Sequence, residues 1–318
     1  MNKPELIEKV GFVLEEGYKE LQLYGFVAGD DNPYSISISN DLETELIAVV
    51  ASGVQSLLVD KEYEIVSFST ADERKDRYYL YDLEEIPERI IQMSFVIGNH
   101  NVESFNLQQH DVTEINTLIL SVSDGDGHSF SLYKLLSPVE KVVTTSKSIL
   151  ARLGVDDAVL KEEKSPLLKI GPRFQIVFVD NYYLFLESSS IESNFKLHQI
   201  LNNEAARNIH VIQETNLLKD VAKLQQYAEK TAFSRKLVNV MRNSKVIKEH
   251  ISKDKVFEFI GNDAKLSEQL CIKTIEGEQF IDIRNLESAK CFLDLLNDEF
   301  VYSKLTGQEY QAVDKDER

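Results

Sequence analysis

Cysteine is nearly missing from this sequence: Cys271 and Cys291 are its only two, twenty positions apart. That supplies neither a disulfide framework nor a metal knuckle, so both are expected as reduced core thiols. Proline is scarce too, six in 318 residues, and no segment is of low complexity, which excludes a disordered, proline-rich chain. There is no Walker pattern and no G-x-G-x-x-G turn after a strand, so neither nucleotide-driven chemistry nor a cofactor is expected. The first ten residues carry Glu5 and Glu8 and lack the basic, apolar, small-residue order of a secretory signal, which predicts a cytoplasmic protein. Long hydrophobic runs are absent as well. The nearest, Leu46 to Val59, is interrupted by Ser52, Gly53, Gln55 and Ser56 and reads as a buried helix too short to cross a bilayer.

What is present is ordinary globular material, 43% hydrophobic and 28% charged, long enough at 318 residues for two domains. The net charge of −18 repels nucleic acid and anionic lipid when taken as a whole, so any polyanion must be met locally.

Along the chain, Leu6, Ile7, Val10, Val13 and Leu14 recur at helical spacing after Pro4. Strands are expected over Leu21 to Val27 and Tyr34 to Ile38 around the turn-rich Gly29 to Pro33, then a helix from Glu43 capped by Asn40 or Asp41. Residues 63–81 read as extended around a charged loop, and Ile86 to Phe95 as a short helix beginning at Pro87. Ile115 to Ser123 and His128 to Leu136 should pair across Asp124-Gly125-Asp126-Gly127. Ser137-Pro138 marks a boundary, giving an N-terminal domain over 1–138 and a C-terminal one over 139–318. In the latter, Phe174 to Val179 and Tyr182 to Glu187 form a hairpin about Asp180-Asn181. Residues 191–242 form at least two helices with weak points at Asn203 and Glu214 to Asn216. Leu270 to Ile275 pairs with Gln279 to Ile283, Leu286 to Leu296 is helical, and Phe300 to Lys304 is a strand. Antiparallel hairpins among helices, without regular βαβ alternation, predict an α+β fold.

Catalytic constellations are weak. The six histidines, at 100, 110, 128, 198, 210 and 250, never stand at i, i+4 around a glutamate, as a helical zinc site requires. Asp124 to Gly127 has alternating carboxylates, but no bidentate glutamate follows at the calcium-loop position, and its glycines account for it as a turn. Glu162-Glu163-Lys164 after Asp156 and Asp157 is the one segment similar to a metal-dependent nuclease, yet it lies in a polar connector rather than on a strand. Serine, histidine and aspartate occur without a nucleophile elbow.

One stretch stands out. Lys230, Arg235, Lys236, Arg242, Lys245 and Lys248 fall within nineteen residues that contain no acid. Phe233, Leu237, Val240 and Met241 recur at helical spacing, which would bury one face and turn Arg235, Asn239, Arg242 and Lys245 to solvent. If about six such charges met phosphates, affinity would fall roughly a thousandfold between 50 and 200 mM salt. The competing reading is a face that neutralises acids such as Glu84, Glu85 and Glu88 within the protein or a partner. Arg74, Lys75 and Arg77 are interleaved with Asp72, Glu73 and Asp76 and are close to self-neutralised.

Several segments together resemble the KwaB proteins of the Kiwa anti-phage system: ADERKDRYYLYDLEEIPERI (71–90), FQIVFVDNYYLFLESSSIESNFKLHQI (174–200), AFSRKLVNVMRNSKV (232–246) and LLNDEFVYSKLTGQEY (295–310). These are patterns of hairpin, helix and polar landmarks, and none is a catalytic signature. The resemblance implies a cytosolic protein that works with a small multi-spanning membrane partner, KwaA, binds DNA, forms dimers or larger assemblies and interferes with phage. The leading expectation is a non-enzymatic defence protein that grips DNA backbone through Lys230 to Lys248 without reading sequence, held near the inner membrane by its partner. The alternatives are a metal-dependent nuclease and an assembly protein that binds no nucleic acid.

Overall fold

The computed structural model describes residues 1–70, 76–97, 101–106, 108–142, 151–153, 160–162, 167–302 and 309–311. The backbone divides into two compact units: residues 1–68, 73–81 and 86–195, and residues 69–72, 82–85 and 196–318.

The first unit runs α1 (Lys3–Val10), β1 (Lys19–Val27), β2 (Tyr34–Ile36), α2 (Asn40–Val54), β3 (Glu64–Ser67), β4 (Arg77–Leu80) and α3 (Glu88–Val96). It continues with β5 (Ile115–Asp124), β6 (Ser129–Leu135), β7 (Lys141–Val142), β8 (Ala151–Leu153), β9 (Leu160–Glu162), β10 (Leu167–Leu168), β11 (Ile176–Val179), β12 (Tyr182–Phe185) and α4 (Ser188–Phe195). Eight of these strands form one sheet in the order β2-β1-β5-β6-β11-β12-β4-β3, antiparallel except for the β3–β4 pair at its edge. This is the α+β fold the hairpin pattern predicts.

Local chemistry accounts for many boundaries. The Asn2 carboxamide accepts from Glu5 N at 3.0 Å while the Glu5 carboxylate accepts from Asn2 N at 2.9 Å, a reciprocal cap that starts α1. Ser39 rather than Asn40 caps α2. Asp180 and Asn181, both at positive φ, make the tight turn between β11 and β12. At the β5–β6 turn the Asp124 carboxylate accepts from the backbone N–H of Asp126 and His128, both at 2.9 Å, and Gly127 takes φ +94°. That carboxylate is thereby committed to the turn.

Both faces of the central strands are covered, which is why β5 is buried over six consecutive residues instead of alternating. On one face Leu6 and Val10 of α1 and Leu46, Val50 and Val54 of α2 join Leu21, Leu118, Leu120, Val122 and Leu132. The other face carries the buried Phe26, Ile119, Tyr133 and Phe185 with Ile90 and Met93 of α3, and Phe195 of α4 meets Tyr133 edge-on. The helical run Asn40–Val59 is long and apolar enough on composition to cross a membrane, and its Leu46, Val50, Val54 and Leu58 are built into this core.

The expected boundary at Ser137-Pro138 ends β6 but does not separate the units. β6 pairs with β11 through Tyr133↔Ile176 and Leu132↔Val177, so the sheet continues across it and the break falls after Phe195, where Lys196 turns into the left-handed region at φ +51°.

The second unit contains α5 (Leu197–Asn208), α6 (His210–Gln213), α7 (Ala222–Tyr227), α8 (Thr231–Asn243), α9 (Lys245–Lys248), α10 (Lys253–Asn262), α11 (Ala264–Gln269), β13 (Cys271–Ile275), β14 (Glu278–Asp282), α12 (Leu286–Leu296), β15 (Phe300–Tyr302) and β16 (Glu309–Gln311). The helical stretch breaks at Lys196 and at Asn216, which also takes positive φ, while α5 runs through Asn203. Its core is formed by Leu201, Phe233, Leu237, Val240, Leu293 and Leu296, all at 3% exposure or less.

Candidate nucleic-acid interface

Helix α8 carries the centre of the basic stretch. Phe233, Leu237 and Val240 are buried as their spacing predicts, but Ser234 and Val238 are buried too, because α5 and α12 both lie against this helix. The buried face is therefore wide, and Arg235, Lys236, Asn239 and Arg242 are half-buried at its margins rather than standing clear in solvent.

Arg242 and Lys236 are tied to carboxylates. The Arg242 guanidinium donates to the fully buried carboxylate of Glu204 on α5 at 2.6 Å and also to the carbonyl of Asp82. The other Glu204 oxygen accepts from Glu84 N at 3.2 Å, so this carboxylate is held from two sides. The Lys236 ammonium lies between Asp294 of α12 and Glu299, the latter at 3.1 Å. Both carboxylates are nearly buried, and removing a charge from water is costly unless an opposite charge meets it. This corrects the expected ridge: Lys236 and Arg242 neutralise acids of their own unit. Glu85, one of the acids named for that role, is approached instead by Arg207 of α5 at 3.7 Å, a residue outside the basic stretch.

Lys230, Lys245 and Lys248 are exposed. Lys230 precedes the first turn of α8, and the other two follow its last, so the 13-residue helix separates them by about 20 Å. Of the six expected contacts, the fold brings Lys245 and Lys248 together on α9 and leaves Lys230 apart from them.

Sequence reasoning missed the pairings, although a signal was available. Asp294 sits in Cys291-Phe292-Leu293-Asp294-Leu295-Leu296, and Glu204 follows Ile200 and Leu201 by one helical turn. An acid inside an apolar helical run has to be buried with its host and therefore needs a cation.

Other expected chemistry has plain structural positions. Asp156, Asp157, Glu163 and Lys164 of the nuclease-like segment lie outside the described residues, as do His100 and the loop residues Asp72 to Lys75. Among the described residues no group of three or more His, Cys, Asp or Glu side chains is placed to hold a metal ion. The His128 ring meets Asp124 at 2.7 Å, and His110 packs against Tyr34 and Phe105. Cys271 and Cys291 are free, and burial pushes the Cys291 thiol up to about 11.

Fold and site together define a two-unit α+β protein whose second unit uses cations to seat buried carboxylates among packed helices. A sequence model of the family described as "Kiwa protein KwaB-like" matches residues 113–306, more than half of the chain, and the chain belongs to that family. A similar protein, "Kiwa protein KwaB" of Escherichia coli O55:H7 (strain RM12579 / EPEC), is 22% identical over 249 residues, which cover 78% of this chain and 78% of that one. No solved structure matches significantly. Membership of this family implies a part in anti-phage defence.

Proposed function

We propose that the protein acts in Kiwa anti-phage defence as a non-enzymatic component. In this reading it binds DNA backbone without reading sequence, forms a dimer or larger assembly, and is held at the inner membrane by a KwaA-like multi-spanning partner. The observation that supports DNA binding is the division of charge along the chain. Residues 1–195 hold 33 acidic against 16 basic residues, whereas residues 196–318 hold 20 against 19. A polyanion repelled by the first part meets almost no net repulsion from the second, where Lys230, Lys245 and Lys248 are exposed.

Retention of duplex DNA at a series of salt concentrations tests this. The triple substitution Lys230→Gln, Lys245→Gln and Lys248→Gln should lower the slope of log affinity against log salt by roughly 2 to 3. DNA retention that is absent at low salt rejects the reading, and retention unaltered by the substitutions moves the interface elsewhere.

The carboxylate partners of Lys236 and Arg242 favour a second reading, an assembly protein that binds no nucleic acid. Co-purification with its partner after nuclease treatment, combined with no DNA shift at low salt, supports that alternative.

A further inference from the structure

A second basic cluster lies away from the α8 stretch, on the β13–β14 hairpin. The Ile281 N–H donates to the Leu217 carbonyl at 2.8 Å and so docks the hairpin on the segment that leads into α7. This brings together cations from distant parts of the sequence. Lys219, Lys223 and Lys273 line a cleft with Ile275, Phe280 and Ile283, and Asp220 and Asp282 are its carboxylates.

The polar bonds here leave positive charge in excess. Lys223 donates to the Ile283 carbonyl, and Arg284 donates to the carbonyls of Glu268 and Gln269, so these bonds hold the cations in place without cancelling them. Lys273 pairs with Asp282 at 2.6 Å. The Asp282 carboxyl is held below its ordinary range, first by its hydrogen bond from Lys273 and then, against some burial, by the fields of Lys273, Lys223 and Arg284. Asp220 spends a carboxylate oxygen on Ala222 N at 3.1 Å, at the start of α7. Three lysines thus line the cleft against two carboxylates, and the field of Arg284 reaches Asp282 as well, in a protein whose total charge is −18.

One wall is apolar. Phe280 pairs across the hairpin with Lys273 and carries the Lys253 ammonium 4.1 Å from its ring centroid, while Lys253 also reaches Glu278 at 3.8 Å. The cleft measures about 160 Å³, below the range of small-molecule and cofactor sites but sufficient for a single phosphate group.

We propose that this cleft is a phosphate-binding site in which Lys219, Lys223 and Lys273 hold the anion against the Phe280 wall. Asp282 keeps Lys273 in place while the cleft is empty and shares it when the anion enters. Two sources carry this group, a free polyphosphate and the backbone of a nucleic acid. Only the second rests on the DNA-binding reading above.

Calorimetric titration of the full chain with inorganic tripolyphosphate tests the site without reference to DNA. Saturable binding is expected. The double substitution Lys219→Gln and Lys273→Gln should weaken it about tenfold or more, and Asp282→Asn should tighten it about fivefold by removing the opposing charge. A merely structural carboxylate would not give that gain. No saturable binding in either the wild type or Asp282→Asn overturns the proposal, as does affinity unchanged by the lysine substitutions. If the double variant fails to unfold cooperatively, Asp282→Asn decides alone, and unaltered or weaker binding rejects the site. A parallel titration with a single-stranded thymidine oligonucleotide separates the sources: parallel losses in the variants identify nucleic acid, and losses confined to tripolyphosphate identify a free phosphate ligand. Failure of the DNA-binding reading would appear as no oligonucleotide binding while tripolyphosphate still binds.

Discussion

Arg242 on α8 donates to the wholly buried carboxylate of Glu204 on α5 at 2.6 Å, so an ion pair whose acid is cut off from water joins these two helices. Removing one partner of such a pair strands the other charge in a poorly solvated site. Arg242→Ala is therefore expected to lower unfolding stability by about 3–5 kcal/mol, and Glu204→Gln combined with Arg242→Gln to recover much of that loss. Urea unfolding of the single and double variants measures it. A full-stability Arg242→Ala protein with weakened DNA retention would return this residue to the interface.

The Lys134–Glu140 pair gives the first unit a defined acid sensitivity. Lys134 is 1% exposed and meets Glu140 at 2.7 Å. Burial alone would raise the Glu140 carboxyl. Hydrogen bonds from Lys134 and from the Ser137 N–H and hydroxyl outweigh it and hold the group below its ordinary 4.5. A carboxyl depressed in the folded state stabilises above its unfolded value, and that contribution is lost as pH falls through the folded one. Wild-type stability should thus decline below about pH 4.5 more steeply than that of Glu140→Gln. At pH 7, Glu140→Gln alone should cost about 3 kcal/mol by leaving Lys134 unmatched. Denaturant midpoints from pH 7 down to pH 3 check both.

Gly53 lies where α2 crosses the segment before β11. A Cβ there would stand 2.5 Å from Phe174 Cε2 and 2.9 Å from the Pro172 carbonyl oxygen. In an open helix, glycine to alanine stabilises by about 1 kcal/mol, but here overpacking should reverse the sign to a loss of about 1–3 kcal/mol. Thermal unfolding of Gly53→Ala decides between them. The paired Gly53→Ala and Phe174→Leu protein should be closer to the wild type than Gly53→Ala alone.

Asp124 provides a control on the calcium-like turn. Since its carboxylate accepts from Asp126 N and His128 N, Asp124→Ala should lower the wild-type Tm by a few degrees, while added calcium leaves the wild-type Tm in place. A calcium-dependent rise in Tm would show that the loop takes a cation after all.

Sequence reading succeeded where the causes are local. The Asp124 to Gly127 and Asp180-Asn181 turns, the β13–β14 hairpin and the limits of α12 all follow from side-chain period and turn chemistry within a few residues. A proline such as Pro138 ends a strand without determining whether a later strand joins the same sheet, and β11 does so by pairing with β6.

By itself the sequence determined the α+β class, the placement of most hairpins and helices, the resemblance to KwaB and the concentration of cations between Lys230 and Lys248. Only the tertiary structure decided which of those cations face a carboxylate. Arg242 meets Glu204 across 38 positions and Lys236 meets Glu299 across 63. Periodicity places a charge on a helix face, but the packing of other helices against that face determines whether water, a phosphate or a buried acid lies opposite it.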